Sequence, residues 1–65
     1  MIFENKEEYL TPKEIEKKLK LSHTTTSKLI HTPGFPMVKI GRNIRVKAGD
    51  LEEFLNDYKG HQIAL

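Results

Sequence analysis

Between Glu16 and Asp50 the chain carries no acidic residue, yet eight positive charges fall there: Lys17, Lys18, Lys20, Lys28, Lys39, Arg42, Arg45 and Lys47. Interleaved with them are Thr24, Thr25, Ser27 and Asn43, whose hydroxyl and amide groups both donate and accept hydrogen bonds. Cationic groups spread over 33 residues without a compensating carboxylate suit one kind of chemistry, the holding of a polyanion. Other chemistries are excluded by spacing. His23 and His31 stand eight residues apart, too far for the i, i+4 metal pair a helix offers, and there is no cysteine to complete a shell. Both are expected to be neutral polar or phosphate-contacting groups. Ser22 and His23 are adjacent without an orienting carboxylate or an oxyanion site, so they do not read as a nucleophile and its base.

These groups sit in a chain of 65 residues with 11 Lys plus Arg against 9 Asp plus Glu, a formal charge of +2 that conceals the basic middle. Residues 1–16 hold five acids and two lysines, and acids return at Asp50. A chain this short buries only about 60% of its unfolded surface, enough for one core and hardly for a catalytic pocket as well. One domain over residues 1–65 is expected, with its core over about 9–59 and tails at 1–8 and 60–65. No enzyme activity and no cofactor are expected. No apolar run exceeds three residues, so no membrane span or signal peptide is read and a soluble cytoplasmic protein is expected.

Several elements must position the basic groups. Thr11-Pro12-Lys13-Glu14 combines an N-cap, a proline at the first helical position and a capping-box acid, with Leu10 and Ile15 at the staple positions. This predicts a helix to about Leu19 or Lys20. Ser22 starts a second helix that buries Thr26, Leu29 and Ile30 and turns Thr24, Thr25, Ser27, Lys28 and His31 outward. Two short helices so tightly joined form a helix-turn-helix pattern, whose second helix is the one that enters a major groove. Pro33-Gly34 ends it.

Met37–Ile40 and Ile44–Lys47 alternate apolar and basic around Gly41-Arg42-Asn43, which predicts a β-hairpin turning at those three residues. Val38, Ile40, Ile44 and Val46 are expected to face the core, leaving Lys39, Arg42, Arg45 and Lys47 on the other face or at the tip. Charge also protects a strand edge, but that purpose needs no arginine in the turn. Asp50 is expected to cap a third helix, with Glu53 as its capping-box partner and Leu51, Phe54, Leu55 and Tyr58 as its inward stripe. Gly60 stops that helix, and Ile63 and Leu65 are left to pack or to fray.

The stretches LTPKEIEKKLKLSHTTTSKLI, FPMVKIGRNIRV and DLEEFL, together covering about Tyr9 to Leu55, make the chain resemble the excisionase-like small DNA-binding proteins, relatives of the MerR-type winged helix-turn-helix domain. The FP-x-x-KIGR-x-x-RV stretch is the most specific part. The resemblance implies an α+β winged helix-turn-helix: two short N-terminal helices, a two-stranded β-hairpin wing and a C-terminal helix. It implies double-stranded DNA as partner, in a bacterial cytoplasm or nucleoid, and for many such proteins a tyrosine recombinase (integrase) directed toward excision of a prophage or mobile element. Others in that family are small transcriptional regulators, and a protein-interaction module is a third reading. Relatives carry a bulky aliphatic where this chain has Thr26, and often arginine on the recognition helix, where only Lys28 is charged here.

On this reading Thr24, Thr25 and Ser27 reach phosphates or base edges, and Lys28 reaches guanine or a phosphate. Lys17, Lys18 and Lys20 meet backbone phosphates, with His23 and His31 beside them. Arg42 enters a narrow minor groove, supported by Lys39, Asn43, Arg45 and Lys47 along the wing. A monomer in solution that binds adjacent sites cooperatively is expected.

Overall fold

The computed structural model describes residues 5–65, in the order β1 (Tyr9–Leu10), α1 (Pro12–Leu19), α2 (His23–Ile30), β2 (Val38–Ile40), β3 (Asn43–Lys47) and α3 (Ala48–Asp57). This is an α+β winged helix-turn-helix. Met1 to Glu4 of the expected N-terminal tail lie outside the described residues.

The helix-turn-helix forms as its signals predict. The Thr11 hydroxyl accepts from the Glu14 N–H at 3.1 Å and Glu14 Oε1 accepts from the Thr11 N–H at 2.9 Å, a reciprocal capping box. Leu10 and Ile15 are both buried beside it. Lys20 closes α1 in the left-handed conformation at φ 56°, and the N–H groups of Lys20 and Leu21 both bond the Glu16 carbonyl. That cap compresses the turn into Lys20-Leu21-Ser22. The Ser22 Oγ then accepts from the Thr25 N–H at 3.2 Å, and α2 buries Thr26, Leu29 and Ile30.

The hairpin departs from expectation in register. Ile40 pairs with Asn43, Lys39 with Ile44 and Val38 with Arg45, so the loop is the two residues Gly41-Arg42 and Asn43 belongs to β3. Gly41 has φ +62°, the positive value a tight two-residue hairpin requires at its first position. A three-residue loop would have set Ile40 opposite Ile44 and Val38 opposite Val46. Because side chains alternate with period two, one residue less in the loop turns β2 over. Val38 and Ile40 are therefore exposed, at 50% and 61%, while Val46 is sealed and Ile44 half-buried. Lys39 now shares a face with Ile44, opposite to Arg45 and Lys47, so the expected all-positive outer face does not form.

The sheet has three strands, not two. Tyr9 pairs with Lys47 and Leu10 with Val46, giving the antiparallel order β1-β3-β2. A two-residue strand leaves no periodic signal in the sequence. The start of α3 is corrected as well: it begins at Ala48 after an N-cap at Lys47 that has no side-chain bond, and Asp50 stands in its first turn. The reason lies in the N-terminal segment. The Ala48 N–H donates to the Glu8 carbonyl at 2.8 Å and the Gly49 N–H to the Lys6 carbonyl at 2.9 Å, doing by backbone what a capping side chain would do. A Cβ on residue 49 would stand 3.1 Å from the Lys6 carbonyl oxygen, so the close approach suits glycine.

The core gathers Leu10, Ile15, Leu29, Ile30, Phe35, Val46, Ala48 and Leu51 from every element except β2. Phe35 meets Phe54 edge-on with centroids 5.1 Å apart, which ties the segment after α2 to α3. Ile63 packs against this core from the C-terminal segment, while Leu65 stays exposed.

Candidate nucleic-acid interface

On α2, Thr24 and Lys28 are exposed and Thr25 and Ser27 half-buried, so the arc predicted to face outward does so in part. The hydroxyls have defined roles. Thr25 Oγ1 accepts from the Ser22 hydroxyl at 3.0 Å, which leaves its own proton to donate outward. The His31 Nδ1–H donates to the Ser27 carbonyl at 2.8 Å, and since a carbonyl only accepts, Nδ1 carries the proton and Nε2 is the outward nitrogen. The Thr32 hydroxyl donates to the Lys28 carbonyl at 2.9 Å and closes the end of the helix.

At the opposite end, His23 Nδ1 lies 3.0 Å from Glu16 Oε2. The last acid before the basic stretch is thereby engaged by α2 itself. Lys17 and Lys18 in the last turn of α1, and Lys20 at its cap, are all exposed.

The wing residues separate into two groups. Lys39, Arg42 and Asn43 are exposed at or beside the tip. Arg45 is half-buried, with Nη1 donating to the Ile44 carbonyl at 2.8 Å, and Lys47 at the base of the hairpin pairs with Glu7 at 3.1 Å. The hydrogen bond that the Lys47 ammonium donates to Glu7, then the charge of Glu7, holds Lys47 above its ordinary pKa. Lys47 is thus occupied by the N-terminal segment, whereas Lys28, Lys39 and Arg42 make no ion pair with the described residues.

The hairpin approaches the recognition helix through Ile44. A shallow depression of about 170 Å³ is lined by Pro12 and Glu16 of α1, His23, Thr26, Ser27 and Ile30 of α2, His31 at its C-cap, and Ile44 of β3. The exposure of Val38 and Ile40 was missed by sequence reasoning, although Gly-X as a two-residue loop was the signal that could have revealed it.

Among the described residues, no group of three His, Asp or Glu is placed to hold a metal ion, and no helix is long and apolar enough to cross a membrane. No curated protein and no solved structure matches the chain. The family model described as a helix-turn-helix domain matches residues 9–59, from β1 to beyond the end of α3. With a capped recognition helix, a three-residue turn before it and a hairpin after it, the chain belongs to the helix-turn-helix domain family, small DNA-binding proteins whose partner is double-stranded DNA.

Proposed function

We propose that the chain is a recombination directionality factor of a prophage or other mobile element, placing α2 in the major groove and the Gly41-Arg42 tip in the minor groove. The observation that carries the DNA geometry is the outward arc of α2, where Thr24 and Lys28 stand exposed with no acid on that helix. Thr24, Thr25, Ser27 and Lys28 read base edges or hold phosphates, and Lys17, Lys18, Lys20 and His31 fix the register on the backbone. His23, Lys39, Asn43 and Arg45 flank these contacts, and Lys47 supports the base of the wing. Residues 1–65 act as a single unit, which binds as a monomer and cooperates with copies on adjacent sites.

The excision role is supported by the FP-x-x-KIGR-x-x-RV stretch, which resembles excisionase-like proteins. Its partner in that role is a tyrosine recombinase. Deletion of the coding sequence is expected to block excision of the element that carries it while sparing integration. Intact excision together with altered transcription from a bound promoter would refute this role and identify a transcriptional regulator instead.

A further inference from the structure

Ile40 stands 61% exposed, more than Tyr9, Val38 or Leu65, the other large hydrophobic residues left open among those described. It belongs neither to the buried core nor to the partly buried residues packed on it. β2 is an edge strand of the sheet, where a charged or polar residue would guard against pairing with another chain. The register places Ile40 immediately before the Gly41-Arg42 loop and opposite Asn43. The tip therefore carries one aliphatic residue opposite an amide and one residue away from an arginine, with Lys39 before it in the strand and no acid between residues 17 and 49.

This combination has a distinct use. Proteins that enter a minor groove read its floor with Arg and Asn and push an apolar side chain between base steps, partly unstacking them. We infer that Ile40 is an apolar wedge that enters the minor groove beside Arg42 and kinks the duplex there. The inference rests on the wing–DNA reading proposed above and adds the residue that bends the DNA. The flexible pyrimidine–purine steps unstack most readily, so the wedge favours TA or CA/TG under the wing without any hydrogen bond to those bases.

The test measures energy transfer between dyes at the two ends of a short duplex recovered from a randomised pool by the wild-type chain, with affinity read by anisotropy on the same duplex. The wild-type chain is expected to kink it by roughly 20–90°. Ile40→Thr, which keeps a β-branched residue in the strand, is expected to lose most of that angle, and Ile40→Leu to keep it. Val38→Thr, farther from the tip on the same face, is expected to keep the angle too. Circular dichroism and thermal midpoints should match the wild type for all three, because both positions are open to solvent. An unchanged kink in Ile40→Thr, or equal losses in Ile40→Thr and Val38→Thr, overturns the wedge and leaves the DNA-binding reading intact. Binding without any kink in the wild type also overturns the wedge alone. Failure of the wild-type chain to recover or bind any duplex overturns both.

Discussion

Thr26 is 1% exposed, and its hydroxyl has no hydrogen-bond partner among the described residues. A buried unpaired hydroxyl costs free energy that a methyl group of the same shape does not. Thr26→Val is expected to stabilise the chain by about 1 kcal/mol, read as a rise in the urea midpoint at constant slope. The position was legible as part of a buried stripe, but the missing partner was not, since that depends on which groups the other elements bring near it. The exposed residues make the complementary case. Lys28→Ala is expected to weaken specific binding by about 1–3 kcal/mol and to relax the preference at one base pair if it reads guanine. Arg42→Ala should weaken binding most on sites with a narrow A·T-rich minor groove under the wing. Anisotropy titrations against single-base variants of the site measure both effects.

At the scale of elements, the two ends of α1 carry different constraints. Its start is a reciprocal capping box, and the Thr11 N–H, followed by the Thr11 hydroxyl and the charges of Lys18 and Arg45, holds the Glu14 carboxyl below its ordinary pKa of 4.5. A carboxylate with a lowered native pKa adds stability above its ordinary value and loses it as pH falls through the native one. Thr11→Ala is expected to cost about 1 kcal/mol near neutral pH. It should also move the Glu14 carboxyl titration, followed by nuclear magnetic resonance, up toward the ordinary value. The end of α1 is a lysine in the left-handed conformation, where glycine carries no steric penalty. Lys20→Gly is expected to stabilise by about 0.5–1 kcal/mol while weakening DNA binding, a divergence visible when thermal melts and affinities are compared. The hairpin shows the limit of local reasoning. Its strands and glycine were plain from alternation, yet the turn was read as the three residues Gly41-Arg42-Asn43, and only pairing with β3 decided which face Val38 and Ile40 occupy.

Over the whole molecule, charge is sorted by position. The acids flanking the basic stretch are not idle: Glu7 pairs with Lys47, Lys6 with Glu52 and Glu16 with His23. The first two tie the N-terminal segment to β3 and α3, and among the described residues Lys17, Lys18, Lys20, Lys28 and Arg42 make no ion pair. If about five phosphates are neutralised on binding, the logarithm of affinity should fall with the logarithm of salt concentration at a slope of about −4 to −5. A slope near zero would remove the electrostatic account of the interface.

Capping boxes, helical stripes and strand alternation are local, because they depend on residues three or four positions apart along one helix or two along one strand. For that reason the sequence alone determined both helices of the helix-turn-helix, the hairpin, the inward stripe of α3 and the basic character of the surface. Three features required distant residues to meet. The strand β1 exists only as a partner of β3, α3 starts at Ala48 because the Lys6 and Glu8 carbonyls reach it, and the outward face of β2 follows from a register set across the sheet. Backbone pairing between segments far apart in the chain has no local signature, and it was this pairing that placed an isoleucine at the tip of the wing.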